Sequence, residues 1–447
     1  MAVFILTHDP TRGGGAGLKS FCLWGVITAV SLTVCAALLV PPSPGAPPGG
    51  VIKVPELVYR TGPYAPAGST AASAREDYFA LMNARGGLDG QMFQWSECED
   101  AYDTARGVEC YERNKKDMSL VFPESTGITY ALIDRSVHDK IPLVTIGYGR
   151  SDATDGTTFP YAFPVLGNYW SQASAFIGYI AAREGGKGLQ GKRIALLHLD
   201  IPYGREPIPV FERLSKKMGF EFRNFPLPAP GLEQTAAWVD IARRYHADYV
   251  IQWNFGQSCT VPFTAMREVN FPIDRFSGVW WCGSEEDVRP AGELAKGYVT
   301  SNFTGVGRNF PVIQQILATV YKSGKGNIDE SRVGTIYYNR GVVQGIVYVE
   351  AARAALKQFG APLTGEKMRW GLEHLTISEA RLQELGAAHL MPPVALTPEN
   401  HGGVSGAYFQ RWDGQAWQRI PGYWQPDADL VWELIRASAA QFREQKR

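Results

Sequence analysis

Histidine and cysteine are scarce in this chain, with 7 and 6 among 447 residues. No C-x-x-C pair, H-E-x-x-H helix, G-x-S-x-G elbow or G-x-x-x-x-G-K-[ST] loop occurs. The usual signatures of zinc sites, metalloproteases, serine hydrolases and nucleotide-cradling loops are therefore missing. His138, His198, His246 and His401 are scattered and read as surface or satisfied core residues rather than catalysts. Charge of one sign is lacking too. Lys+Arg and Asp+Glu stand at 44 each, with no block of either, which argues against a nucleic-acid binder. Glu97, Glu99, Asp100 and Asp103 do cluster; beside Cys98 they read as first-turn acids of a helix, with a calcium site as the alternative. No catalytic residue, metal or cofactor is expected.

What is present is length, apolar bulk and aromatic rings. The chain is long enough for two domains with a core each, and it carries 12 Trp, 20 Tyr and 21 Phe. That wealth of rings suits an aromatic-lined cavity and equally a plain large core. Lys19 precedes an uncharged apolar run over 21–40, which a Pro/Gly-rich stretch follows to residue 50. This reads as an export signal or a retained membrane anchor, then a linker, and so as a periplasmic protein. Cys98, Cys110, Cys259 and Cys282 remain beyond it, an even number of thiols for an oxidising compartment. Local pairing, Cys98 with Cys110 and Cys259 with Cys282, is the simplest of three connectivities.

From Val51 onward short β-rich runs alternate with helical ones. Strands are expected at 52–59, 92–97, 120–122, 143–148, 193–199, 220–225, 249–253, 278–282 and 298–303. Helical spacing shows in Tyr169, Ala173, Phe176, Ile177 and Ile180, and helices are expected over 205–219, 342–359 and 366–375. The alternation argues for an α/β chain of parallel sheets covered on both faces, and the strand count for two such sheets. A hairpin closes the pattern, 407–412 and 417–420 around Asp413-Gly414.

In open parallel sheets ligands sit at the carboxyl ends of strands, and five loops there carry candidate binding groups. In Arg60–Thr70, with a helix opening at Ser69 or Thr70, Tyr64 either walls a pocket or merely belongs to a long turn. Ser125, Thr126 and Gly127 start a helix whose free N–H groups suit a carboxylate, or are an ordinary cap. Tyr148 and Gly149 lie in a glycine loop that lets backbone approach closely. Tyr203 stands in a position to close over a ligand. Asn254 and Phe255, with Trp280 and Trp281, offer rings for stacking on a flat ligand or for covering a hinge.

Taken in order, these loops resemble the branched-chain amino-acid type of periplasmic binding protein. The resemblance spans about Val51 to Gly414. It is carried by Tyr59-Arg60-Thr61-Gly62-Pro63, Glu97–Thr104 with Arg106–Arg113, Ser125–Leu132 and Asp287–Gly292. It implies two doubly wound lobes joined by three crossovers, near 163–167, 300–304 and 391–402. Lobe one would hold 51–165 and 303–395, and lobe two 166–302 and 396–447. It further implies Ser125 and Thr126 at a ligand carboxylate, the 147–151 loop beside them, and Tyr203 and Phe255 facing them. Glu285, after Gly283, is placed at an α-amino group, although Trp280-Trp281-Cys282 before it departs from the family's pattern and favours an aromatic or organic acid equally.

The expected function is extracytoplasmic capture of a small amino-acid-like or aromatic/organic-acid ligand. Delivery would be to the membrane permease subunits of an ABC importer, by a monomer. A ligand-sensing protein of the same fold is the alternative, and an exported enzyme a more distant one.

Overall fold

The structure, a computed structural model, describes residues 49–446 apart from 187, 403 and 404. The apolar run 21–40, with Cys22 and Cys35, lies outside the described residues. No helix among the described residues is long and apolar enough to cross a membrane.

The first layer, built early in the chain, holds two separate parallel pairs of strands. Strands β1 (Val51–Val58) and β2 (Met92–Glu99) pair in parallel, as do β3 (Leu143–Ile146) and β4 (Ala162–Val165). Val121 bridges in parallel to Leu143. Every residue of β3 and β4 is buried, as expected of strands covered on both faces. Helix Ile336–Phe359, from late in the chain, packs on helix Ala65–Ala84 here. Two glycines make the approach feasible: a Cβ on Gly341 would come within 2.1 Å of the Ala71 carbonyl, and one on Gly345 within 2.6 Å of the Tyr78 ring.

The second layer is a single sheet of seven strands among the described residues. They are β5 (Arg193–Leu199), β6 (Glu221–Leu227), β7 (Tyr249–Trp253), β8 (Phe276–Gly278) and β9 (Val299–Asn302), with β12 (Ala407–Trp412) and β13 (Trp417–Trp424). Their order is β13-β12-β9-β8-β7-β5-β6, parallel from β6 to β9, with the late hairpin antiparallel on one edge. Between these segments lies a small antiparallel pair, β10 (Thr376–Ile377) with β11 (Val394–Ala395). The chain is thus α/β with parallel-dominated pairing, as the alternation predicts; in place of a second full sheet the early segments form two separate parallel pairs. At the hairpin turn Asp413 Oδ1 accepts from the Gln415 and Ala416 amides, both at 2.8 Å, and Gly414 takes a φ of 108°.

Several local expectations need correction. The helix expected from Ser69 or Thr70 begins at Ala65, because Pro66 fits its first turn. The strand expected at 278–282 ends at Gly278; Trp280–Cys282 turn tightly instead. Glu97 and Glu99 are not first-turn acids. They lie on β2, where Glu97 takes the Arg60 guanidinium and Glu99 the Arg60 amide, and Asp103 alone caps the following helix. Strand β4 and the C-terminal helix Ala428–Gln445 escaped the periodicity altogether. Both expected cysteine pairs form disulfides, Cys98–Cys110 and Cys259–Cys282.

Candidate functional site

The carboxyl ends of the early parallel pairs and of the seven-stranded sheet face one pocket. Its walls follow the strands in order: Tyr59 after β1, Tyr102 after β2, Glu124–Thr126 after the Val121 segment, and Tyr148 after β3. Tyr169 follows β4, Tyr203 follows β5, Phe255 follows β7 and Trp281 follows β8. This is where parallel sheets expose loop backbone and place side chains from distant parts of a chain together. About 230 Å³ of empty space lies among these walls, part of it open to solvent, and the pocket is nearly filled by its own aromatic rings.

One pole of the pocket is polar. Ser125 caps helix Thr126–Asp139, its hydroxyl accepting from the Ile128 amide at 3.5 Å. Thr126 Oγ1 accepts from the Gly149 amide at 3.3 Å, which ties the helix start to the glycine loop. Gly149 has a φ of 97°, and a Cβ there would lie 2.9 Å from Thr145. The hydroxyls of Tyr102 and Tyr169 reach Ser125 and Thr126 respectively. Burial pushes the phenols of Tyr59, Tyr148, Tyr169 and Tyr203 well above their ordinary range. Each therefore stays a neutral hydroxyl at any physiological pH. Two lining residues that are not glycine, Tyr102 and Glu124, take left-handed φ of 64° and 55°. The Tyr102 conformation is held by its amide, which donates to Asp100 Oδ1 at 2.7 Å. Burial raises the Asp100 carboxyl to about 7.

Behind the polar pole lies a buried charge relay. Arg75 is fully buried and bonds Glu56, Glu124 and Gln344 at once, with its guanidinium 4.9 Å from the Phe122 ring centre. Burial raises the pKa of Glu124 against the pull of Arg75. The Glu124 amide donates to the Tyr148 hydroxyl at 2.9 Å. Among the described residues no lysine, arginine or histidine lines the pocket, and Glu124 is the one carboxylic acid that does.

The opposite wall comes from the second sheet. The Tyr203 hydroxyl donates to the Asn254 carbonyl at 2.8 Å, and its ring stands edge-on to Tyr169 at 5.4 Å. Trp280 and Trp281 both donate their indole N–H to the Gly147 carbonyl, at 2.6 and 2.8 Å. That shared acceptor pins the second wall to the first, and Gly147 can have no side chain, since a Cβ would lie 2.5 Å from the Phe303 ring. On its outer face Trp281 carries the Arg340 guanidinium at 4.7 Å. Arg340 is buried and its pKa is lowered to about 10 by that burial.

Seven sequence-predicted residues stand in or directly behind these walls: Ser125, Thr126, Tyr148, Gly149, Tyr203, Phe255 and Trp281. Tyr64 forms a second layer, stacked on Phe255 with centroids 5.4 Å apart. Asn254 contributes its carbonyl to Tyr203 and turns its amide to Gln252, and a Cβ on Gly127 would sit 2.9 Å from Thr104. Glu285 is not among the lining residues. It accepts from the Ile336 amide at 3.0 Å, at the start of helix Ile336–Phe359, and burial raises it to about 7. Sequence reasoning missed Tyr59, Tyr102, Glu124 and Tyr169. Tyr59, Tyr102 and Glu124 stand one to three residues past β1, β2 and the Val121 bridge, so a count from those ends finds them where a search for motifs does not; Tyr169 follows β4, which carries no sequence signal.

Residues 51–416 match the model of the periplasmic binding protein family. Among solved structures, one described as an ABC transporter permease from the Pseudomonas fluorescens group is 40% identical, with a TM-score of 0.82 over 89% of this chain and 98% of that one. A branched-chain amino-acid ABC transporter protein from Thermus thermophilus with bound valine is 19% identical, TM-score 0.73, over 86% and 98%. A solute-binding protein of an ABC transporter from R. palustris, in complex with benzoate, is 16% identical, TM-score 0.64, over 85% and 99%. No curated protein matches the chain. With two α/β layers meeting at one pocket, and a family match over most of its length, this chain belongs to the periplasmic binding protein family, in its branched-chain amino-acid type, the solute-binding proteins of ABC transporters.

Proposed function

We propose that the protein captures a small carboxylate-bearing solute, amino-acid-like or aromatic, and hands it to the permease subunits of an ABC importer. The observation that carries this reading is the pocket's two-sided construction: a hydroxyl-rich helix start on one wall, and Tyr203, Phe255 and Trp281 on the other. The carboxylate sits at Ser125 and Thr126, where the free amides of a 14-residue helix and two hydroxyls favour an anion. Tyrosine, phenylalanine and tryptophan rings take up the rest of the ligand. Solutes bound by relatives support the class, valine in one and benzoate in another.

Capture works by closure. Lobe one comprises 51–165 and 303–395, lobe two 166–302 and 396–447, and crossovers near 163–167, 300–304 and 391–402 let them part. A pocket nearly filled by its own rings admits a solute only when the walls separate. Contacts to both walls then favour the closed state by their differential affinity. The protein acts as an exported monomer, with residues 21–40 as signal or anchor, and catalyses nothing.

Isothermal titration with L-valine, L-phenylalanine and benzoate tests the reading. One of them should bind saturably, one per chain, and be recovered unchanged. Loss of a hydrogen bond to a charged group costs about 1.5–3 kcal/mol, so Ser125→Ala should weaken that ligand about 10- to 100-fold. Unaltered affinity in Ser125→Ala and Tyr203→Ala, or chemical turnover, would overturn it.

A further inference from the structure

Glu206 follows β5 and the short turn of helix that carries Tyr203, so it belongs to the second half of the molecule. Its side chain nevertheless reaches the first half. One carboxyl oxygen takes the Ser151 hydroxyl at 2.6 Å and the Ser151 amide at 3.3 Å, while the other bonds the Tyr130 hydroxyl. Ser151 ends the glycine loop after β3, and Tyr130 lies on the helix that Ser125 caps. These are the two segments of the first half that form the polar pole of the pocket. The Glu206 backbone is fixed in its own half, its carbonyl accepting the Trp170 indole at 2.8 Å. Glu206 is 6% exposed and does not line the pocket.

We propose that Glu206 is a positioning residue for solute capture: it clasps the Ser125-capped helix and the glycine loop of the first half from the second, and so holds the cleft shut. The proposal rests on the closure reading given above. Closure is coupled to the charge of this carboxyl, because burial between the halves penalises its ionised form. A carboxyl group enclosed between two halves has lost water without gaining a cation, since Arg150, the nearest one, is spent on Asp152 at 2.6 Å and stacks on Tyr130, Phe159 and Phe442. From the C-terminal helix, Ser438 turns to Asp152 rather than to Glu206. On its own segment, Arg205 is paired with Asp200. Burial raises the Glu206 carboxyl to about 7, outweighing the bonds from Ser151 and Tyr130, with Asp152 adding to the rise and Arg150 opposing it. In the parted state the group is wetted and returns toward its ordinary value of about 4.3.

The sign follows directly. Closure takes up a proton, so the clasp is at full strength in acid and is lost as the pH rises through about 7. With carboxyl values of about 7 closed and about 4.3 parted, the opening equilibrium should grow about 30-fold between pH 5.5 and 8.5.

Hydrogen exchange of the full-length, ligand-free protein reads the clasp at the Ser151 amide, after correction for the intrinsic pH dependence of exchange. Protection there should fall about 30-fold from pH 5.5 to 8.5. Glu206→Gln should abolish the pH dependence, because the amide keeps an acceptor and cannot ionise. Glu206→Ala and Tyr130→Phe should lower protection at pH 5.5, while the core strand Arg193–Leu199 stays protected as a check on folding. Wild-type-like Ser151 protection in Glu206→Ala, or an undiminished pH dependence in Glu206→Gln, would refute the proposal. No solute is needed for this readout, so its failure is distinct from a failure of the ligand assignment.

Discussion

Replacing Arg75 by methionine tests the charge relay behind the pocket. The guanidinium is fully buried and stands between two carboxylates, Glu56 and Glu124, which are 4% and 8% exposed. Methionine fills a similar volume but leaves both acids without a cation. Breaking a buried ion pair from one side costs about 3–5 kcal/mol, because the remaining charge stays desolvated. Cation–π attraction to Phe122 is lost with it, at about 0.5–2 kcal/mol. Unfolding entropy runs at about 2.1 cal/mol/K per residue, so over about 400 residues a loss of about 4 kcal/mol lowers the melting temperature by about 5 °C. The orphaned carboxyls titrate above their unfolded values, so the deficit should be small near pH 4.5 and grow as the pH rises. Thermal and urea unfolding at pH 5 and pH 8 measure this. The triple variant Glu56→Gln, Arg75→Met, Glu124→Gln should recover most of the loss at pH 8, since it removes the charges that Arg75 compensates. Wild-type stability of Arg75→Met at pH 8, or a triple variant no better than the single one, would show that the relay does not carry charge in the folded protein.

Other consequences are checked more simply. Gly147→Ala puts a methyl group against Phe303 at a φ of 70° and displaces the carbonyl that both indoles share. It should cost about 2–4 kcal/mol in urea unfolding and quench or shift tryptophan fluorescence; an unchanged spectrum and midpoint would contradict the shared acceptor. The disulfides close loops of 12 and 23 residues, and reducing either should cost about 3 kcal/mol on the loop-entropy model. Melting with and without reductant tests it, and no shift would refute it. Asp100, Glu206 and Glu285 all titrate near 7 in the folded state through burial, above their unfolded values. The native chain thus holds more protons than the unfolded one, and these three groups make stability fall as the pH rises from 5 to 8. Urea midpoints across that range should rise at the alkaline end in Glu285→Gln relative to the unsubstituted protein; an equal decline in both would remove Glu285 from the set.

Local patterning was enough for much of the architecture. The apolar stretches 194–197 and 249–251, short and flanked by turn residues, read as strands buried on both faces, and they are. The hairpin was equally readable, because Asp413-Gly414 supplies both a side-chain acceptor and a left-handed φ. Strand β4 was not readable: four residues, one of them Pro164, carry no period, and only pairing with β3 makes them a strand. The apolar letters of Trp280–Cys282 read as strand, but the segment turns tightly and its two tryptophans serve indole bonds to Gly147 instead.

The site divides along the same line. Composition and order of the loops determined by themselves that Ser125, Thr126, Tyr203, Phe255 and Trp281 belong near strand ends, since turn chemistry and helix caps are written within a few residues of each other. Only the tertiary structure decided that Tyr102 and Glu124 turn their strained backbones into the pocket, that Glu285 caps a distant helix instead, and that Glu206 reaches across to Ser151. The physical reason is range. A cap or a turn is settled by neighbours along the chain, whereas burial, and with it the charge state of each acid, is settled by what another sheet brings against it.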